Sequence, residues 1–368
     1  MNDAVDRHFM KRALELASRA RGFTAPNPMV GAVIVKKGKI VGEGYHRAAG
    51  LPHAEVEAIR SAKGETAGAT MYVTLEPCCH HGRTGPCTEA IRTAGIRKVV
   101  YATADPDKRV NCRGESCLIE AGIKVERGVL ENEALQLNEI YFGYHRLGRP
   151  YIILKTAQTL DGRIATRTGD SKWISSPPAL KLAHQLRADV DAVVVGLGTV
   201  RADDPALTVR NVKGPDPYRI VLSESLRFPR HCRLLDENTD GRSIVATTND
   251  EAVDRLSRRR WEGLILWKIK RRRGGGLDLN DFVVKAGRFG LQSLLVEGGS
   301  SVATSFLKTG LVDKYVVVIA PRVIGCGTPA VADLKVARLA DGIVFDRHLF
   351  KTCGRDAVFV GYPKWERP

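Results

Sequence analysis

Little in this chain of 368 residues is built for a membrane or for secretion. No apolar run approaches the ~20 residues needed to cross a bilayer. Residues 1–6 run directly into an amphipathic pattern without an apolar signal core, which sets the expectation of a cytoplasmic protein with no membrane partner. The eight cysteines are scattered and do not form the framework of a small secreted disulfide scaffold. No repeat of short period is present. Aromatic residues are few, at 6%, and acidic residues (41) are outnumbered by basic ones (57), for a formal net charge of +16. Such a balance suits either a nucleic-acid partner or phosphorylated small molecules. The densest basic runs, Arg258-Arg259-Arg260 and residues 268–273, have only Trp261 and Trp267 as aromatic neighbours. They read as a solvated face rather than a nucleic-acid surface.

What is present is long enough for two domains, and hydrophobic residues at 43% suffice for sizeable cores. The chain is organised around His53-Ala54-Glu55, answered downstream by Pro77-Cys78 and Cys87. An imidazole and two thiolates suit one zinc ion per chain, with one coordination position left open. Glu55 is not needed as a ligand and is placed to move protons. Cys79, His80 and His81 are alternative ligands, and a purely structural zinc is the alternative use. A structural site normally supplies four protein ligands, however, and would not explain Glu55. The H-x-E…P-C order resembles that of zinc-dependent nucleobase deaminases.

Periodicity predicts helices over 3–20, from about 53, and over 89–94, 112–121 and 131–146. It predicts strands over 32–35, 40–44, 70–75, 98–102 and 123–125. Pro26-Asn27-Pro28 excludes helix and holds Asn27 in an extended turn. This alternation implies an α/β fold whose first domain, 1–147, is a three-layer α/β/α unit. Leu147-Gly148-Arg149-Pro150 marks the boundary, and a second α/β domain spans 150–364. Its expected strands are 151–156, 191–195, 218–222, 243–246, 263–267, 293–296, 314–319 and 357–361. Its expected helices are 178–187, 251–258, 279–288 and 300–309. No G-x-G-x-x-G follows a strand there, so the usual Rossmann site is not indicated. Gly196-Leu197-Gly198-Thr199 and Glu297-Gly298-Gly299-Ser300-Ser301 instead lead from strands into helices, where backbone amides would receive phosphates. Lys155 is a strand residue in an apolar run, a costly place for an ammonium. It either serves chemistry or pairs with Asp203 or Glu297.

Three stretches together are specific: Pro26-Asn27-Pro28, His53-Ala54-Glu55, and the cysteine loop from Leu75 to Cys87 that contains His80-His81-Gly82-Arg83-Thr84. They resemble the deaminase half of the bifunctional riboflavin biosynthesis deaminase/reductases. Thr159-Leu160-Asp161-Gly162-Arg163-Ile164-Ala165, Trp173-Ile174-Ser175-Ser176, Ala202-Asp203-Asp204-Pro205-Ala206-Leu207-Thr208 and Val296-Glu297-Gly298-Gly299 resemble the reductase half, in the same order. Three stretches depart from the family pattern: residues 107–114, Cys79 where serine is common, and Ser223-Glu224 where Asp-Ser is usual.

The resemblance implies a cytidine-deaminase-like first domain and a second domain similar in fold to dihydrofolate reductase. It implies hydrolytic deamination of 2,5-diamino-6-ribosylamino-4(3H)-pyrimidinone 5′-phosphate, then reduction of the ribosyl chain to ribityl by NADPH, with NADH as the alternative. Glu55 would be the proton carrier and Lys155 the catalytic residue of the reductase. Asn27, His80 and Arg83 would bind the first substrate, each with a local packing or turn-forming role as its alternative. The cofactor would lie along Ala157, Trp173, Thr199, Asp203, Glu224 and the run Gly299, Ser300, Ser301, Val302, Ala303, Thr304 and Ser305. The ribosyl substrate would lie near Ser171, Arg187, Leu207, Arg210 and Glu297. Phosphorylated pyrimidines account for a basic protein without nucleic acid. The rival reading is a zinc-dependent tRNA or DNA deaminase with a basic accessory domain. A homo-oligomer is left open.

Overall fold

The computed structural model describes residues 3–81, 85–107, 110–172, 174–249 and 263–365. The expected helix over 251–258, the arginine triplet 258–260, and the candidate site residues Arg83 and Trp173 lie outside them. The chain divides into two compact units, Met1–Gly148 and Arg149–Pro368.

The first unit contains α1 (Asp3–Ser18), β1 (Gly31–Lys36), β2 (Lys39–Tyr45), α2 (Ala54–Ser61), β3 (Thr70–Val73), α3 (Cys87–Thr93), β4 (Lys98–Tyr101), α4 (Arg113–Glu120), β5 (Lys124–Arg127), α5 (Glu131–Leu137) and α6 (Glu139–Leu147). Its sheet has the order β2-β1-β3-β4-β5. β1 is antiparallel to both neighbours, and β3, β4 and β5 are parallel. Successive side chains of a strand face opposite ways, and β1 shows the consequence. Ala32 and Ile34 join a core with Met71, Val99, Ala54 and Ala58, while Val33 and Val35 join another with Phe9, Met10 and Ala13. Helices therefore cover both faces of the sheet. Gly44 lets α2 lie directly on β2, because a Cβ there would stand 2.4 Å from the Ala58 nitrogen.

The helix expected over 131–146 is two helices, broken at Asn138. That side chain accepts the Met29 N–H at 2.8 Å and donates to the Met29 carbonyl at 2.9 Å. A tertiary partner overrides local propensity here.

The second unit contains β6 (Tyr151–Thr159), β7 (Arg163–Thr166), α7 (Pro177–Ala188), β8 (Ala192–Gly196), α8 (Leu197–Asp203), β9 (Tyr218–Leu222), α9 (Arg233–Asp236), β10 (Ser243–Thr247), β11 (Ile265–Lys268), α10 (Leu279–Arg288), β12 (Ser293–Val296), α11 (Ser300–Lys308), β13 (Lys314–Ala320), β14 (Gly327–Pro329), β15 (Phe345–Cys353) and β16 (Asp356–Pro363). Nine strands form one sheet in the order β11-β10-β9-β8-β12-β6-β13-β16-β15. It is parallel from β11 to β13, and β16 and β15 are antiparallel additions. Residues of both faces are buried, Val194 and Ile220 as much as Val193 and Val221. That explains the unbroken apolar runs of these strands. Strands β7, β14 and β15 were not expected. β7 pairs with β14, far along the chain. β15 is exposed along most of its length and so lacks the alternation that marks a strand.

The chain visits β6, then β8, then moves outward to β11 and returns to place β12 between β6 and β8. In open parallel sheets, ligands bind beyond the carboxyl ends of strands at such a reversal.

Candidate active sites

In the first unit, His53 stands immediately before α2 with extended backbone, Cys78 follows β3 in a loop, and Cys87 opens α3. His53 Nδ1 is 3.2 Å from Cys87 Sγ and 3.5 Å from Cys78 Sγ. The three donor atoms all lie within 4.8 Å of one another. Zinc bonds of about 2.0–2.3 Å span tetrahedron edges of about 3.3–3.8 Å, so the trio fits one ion. Cys79, His80 and His81 are not part of it. Hydrogen bonding from Cys87, opposed by burial and joined by His53, brings the Cys78 thiol down to about 4.

Glu55 lies in the first turn of α2 and is buried. Burial pushes its carboxyl up to about 7, aided by the Cys78 sulfur. Asn27 donates from its amide to His46 Nε2 at 3.1 Å, and His46 Nδ1 meets the Pro52 carbonyl at 3.1 Å. These two bonds assign the proton to Nδ1 of a neutral ring, consistent with burial lowering its pKa. The His46 ring packs edge-on against His53, with centroids 5.4 Å apart. His46 thus joins Asn27 to the donor trio, and no motif spacing pointed to it. His80 Nδ1 is buried with no hydrogen-bond partner among the described residues.

The Cys78 loop is held from behind by Glu76, which is buried. Its carboxylate accepts N–H groups of Asp105 (3.3 Å), Cys112 (3.0 Å) and Glu115 (3.2 Å). Glu76 was also absent from the sequence-level candidates, although a Glu directly before Pro-Cys was visible.

In the second unit, Lys155 on β6, Glu297 after β12 and Arg187 on α7 converge. Arg187 donates from Nε to Glu297 Oε2 at 2.8 Å, and Lys155 Nζ is 3.8 Å from Oε1. Of the two partners considered for Lys155, the structure supplies Glu297. At 3.8 Å this is a charge contact rather than a hydrogen bond. Glu297 Oε1 is buried and has no hydrogen-bond partner among the described residues. Burial lowers the Lys155 pKa, only partly offset by Glu297. Burial would raise Glu297, but the charges of Arg187 and Lys155 outweigh it and keep it below the usual carboxylate range. Arg210 lies beside the cluster: its N–H donates to His184 Nδ1 at 3.1 Å, and its guanidinium to Thr208 at 3.0 Å. Leu207 is buried with a positive φ of 55°.

Thr199 and Gly299 meet at the ends of β8 and β12, where Thr199 Oγ1 accepts the Gly299 N–H at 3.1 Å. Ser171 donates to Asp203 at 3.2 Å. Ala157 lies farther along β6 from Lys155. In the run from Gly299 to Ser305, the Ser300 hydroxyl is buried with no hydrogen-bond partner among the described residues. Ser301 and Val302 lie in the first turn of α11. Ala303 is in the core, the Thr304 hydroxyl bonds Ser300 O and Ala332 N, and the Ser305 hydroxyl bonds Ser301 O. The orphaned Ser300 hydroxyl at the start of α11 fits an anionic group such as a cofactor phosphate. At the end of β9, Ser223 Oγ is taken by the Leu226 N–H at 3.0 Å, and Glu224 is exposed. A Cβ on Gly276 would contact both Glu224 Oε1 and the Arg272 guanidinium, so an arginine of the basic run stands beside Glu224.

These features define a class of protein: a cytidine-deaminase-like domain with a clustered His-Cys-Cys donor trio, joined in one chain to a parallel α/β reductase domain. The cytidine and deoxycytidylate deaminase zinc-binding region matches residues 3–103, and the RibD C-terminal domain matches residues 150–351. The riboflavin biosynthesis protein RibD of Aquifex aeolicus is 44% identical over 355 residues, covering 96% of this chain and 97% of that protein. The RibD of Escherichia coli is 40% identical, covering 95% and 97%. Among solved structures, Acinetobacter baumannii RibD superposes with a TM-score of 0.88 at 35% identity, covering 99% of this chain and all of that one. The diaminohydroxyphosphoribosylaminopyrimidine deaminase/5-amino-6-(5-phosphoribosylamino)uracil reductase of Thermotoga maritima does so with 0.86 at 36% identity and the same coverage. The chain belongs to the RibD family of bifunctional riboflavin biosynthesis enzymes, with a deaminase half and a reductase half.

Proposed function

We propose that the first unit removes the 2-amino group of 2,5-diamino-6-ribosylamino-4(3H)-pyrimidinone 5′-phosphate, and that the second reduces the ribosyl chain of the product to ribityl. The observation that carries the first half is a buried Glu55 two residues from His53 in a three-donor cluster. His53, Cys78 and Cys87 would hold one zinc ion, which supplies Lewis acidity and brings the pKa of water to about 7. Glu55 takes a proton from the attacking water, passes it to the ring nitrogen and then serves the departing ammonia. Asn27, oriented by His46, pairs with the pyrimidine edge. His80 and Arg83 serve the ribose phosphate.

In the second unit, reduced NADPH supplies a hydride to the sugar C1′. The cofactor would be held along Ala157, Trp173, Thr199, Asp203, Glu224 and residues 299–305. Ser300, at the start of α11, faces its phosphates, and NADH is the alternative donor. As C1′–O4′ opens, Lys155 supplies the proton that O4′ takes up. Arg187, Leu207, Arg210, Ser171 and Glu297 position the ribosyl substrate. Both reactants carry phosphate, which the +16 charge serves without a nucleic-acid partner. Among the described residues no helix is long and apolar enough to cross a membrane. The thiolate ligands and the reduced nicotinamide suit the cytoplasm.

The purified chain is assayed with the diaminopyrimidine, with and without NADPH, following ammonia release and nicotinamide oxidation. Ammonia release without NADPH, and oxidation only once deaminated product is present, is expected. No oxidation with authentic deaminated substrate would overturn the reductase assignment. Action on polynucleotide instead would favour the rival deaminase reading.

A further inference from the structure

We propose that Cys79 and Cys117 are a disulfide-forming pair that latches the metal-ligand loop to helix α4 and reversibly switches off the deaminase half. The activity readout rests on the function proposed above; the bond itself does not.

The loop that carries Cys78 is fastened to the start of α4. Glu76 accepts the N–H groups of Cys112 and Glu115. Gly114 is pressed against the loop: a Cβ there would stand 2.0 Å from the Pro77 carbonyl oxygen. Only glycine allows this approach. Cys117 lies three residues after Gly114 and therefore on the same face of the helix. Cys117 is among the groups that push the Cys79 thiol up, so the two side chains stand close to each other. Cys117 is exposed and Cys79 half-buried, so an oxidant meets Cys117 first and the partner stands sheltered behind it. Cys112, also exposed, turns its sulfur to Asn111 and Arg127 instead.

The co-reactant is a peroxide. It oxidises the Cys117 thiol to a sulfenic acid, with loss of one water. The Cys79 sulfur then attacks the sulfenic sulfur: an S–S bond forms, the S–O bond breaks, and the hydroxide leaves as water with the Cys79 proton. Two electrons pass from the two thiols to the peroxide. A dithiol reductant reverses the bond by exchange.

Geometry makes this consequential. A disulfide fixes the sulfurs at about 2.05 Å, closer than any two unbonded sulfurs can stand. Helix α4 resists the pull, because Leu118 is fully buried in the core. The loop must therefore give, and Cys79 is covalently next to Cys78. Metal sites tolerate ligand displacements of only about 0.2 Å.

The full chain is treated with hydrogen peroxide at low molar excess, its remaining thiols are blocked, and disulfides are mapped by non-reducing peptide mass spectrometry. Deamination and reduction are assayed separately. Expected are a Cys79–Cys117 cross-linked peptide, a loss of deamination of about tenfold or more, unchanged reduction, and recovery with dithiothreitol. Cys79→Ser and Cys117→Ser should each keep deamination through the treatment, while Cys112→Ser should behave as the natural chain. A Cys78–Cys87 disulfide in place of the Cys79–Cys117 peptide, or equal inactivation of the Cys79→Ser and Cys117→Ser variants, would overturn the proposal. The mapping needs no turnover, so it stands even if the assigned substrate is wrong.

Discussion

The side-chain amide of Asn138 clasps the backbone of Met29 from both sides, accepting its N–H and donating to its carbonyl, at 2.8 and 2.9 Å. Met29 lies two residues after Asn27, so a residue more than a hundred positions away anchors the turn that presents the Asn27 amide. Asn138→Ala leaves both backbone groups of Met29 without this partner, at about 1–3 kcal/mol. The expected result is a lower melting temperature and a raised KM for deamination, with reduction unchanged. Steady-state kinetics of both reactions on one preparation check this, and an unaltered KM would remove Asn138 from the site's support.

Glu55→Gln should retain metal and lower deamination by about 10² to 10⁴, because an amide cannot carry the proton. Reduction of deaminated substrate should persist. Cys87→Ser should instead lose metal, and Cys79→Ser should not. Metal analysis of the three purified variants beside activity separates the roles, and metal loss in Cys79→Ser would mean that the wrong thiolate has been assigned.

Lys155→Ala should slow reduction by at least about 10², since proton delivery of this kind is worth that much. The fold should persist, because Glu297 keeps its hydrogen-bonded partner Arg187. Deamination should be intact. Reduction at the natural rate would leave Lys155 only its charge contact with Glu297.

Asp105 gives a pH signature. It is buried, and burial pushes its carboxyl up to about 6, although the Asp107 N–H and the Tyr141 hydroxyl both donate to it at 2.9 Å. A carboxyl whose folded pKa exceeds its unfolded value of about 3.9 contributes stability below that value. The contribution is lost as pH rises through about 6. Asp105→Asn keeps an acceptor oxygen and cannot ionise. Between pH 5 and 8 the natural chain should lose on the order of 1 kcal/mol more than the variant. Denaturant unfolding at the two pH values measures it, and parallel losses would show that Asp105 does not titrate there.

At the end of β9, Ser223 spends its hydroxyl on the turn and leaves Glu224 exposed beside Arg272. If the adenosine end of the cofactor reaches this point, the carboxylate opposes the 2′-phosphate of NADPH. Glu224→Ser should then raise the NADPH/NADH ratio of kcat/KM by about tenfold, which is ~1.4 kcal/mol. A strong NADPH preference in the natural chain that the change leaves untouched would place the cofactor elsewhere.

Local order made much of this protein legible. Donor types and spacing in the sequence pointed to the His53, Cys78 and Cys87 trio, because few uses other than a metal explain a histidine, a carboxylate and two thiols in that order. Periodicity separated strands from helices, and the apolar runs of the second unit reflected a parallel sheet covered on both faces. Tertiary structure alone decided the rest. The break at Asn138 answers to Met29, His46 reaches Asn27 and His53 through folding, and Glu76 finds its donors in a distant helix start. Strand β15 pairs as an exposed edge without alternation, and β7 finds β14 across most of the second unit. Hydrogen-bond partners and the electrostatics of buried groups depend on which segments meet, and no window of neighbouring residues encodes that meeting.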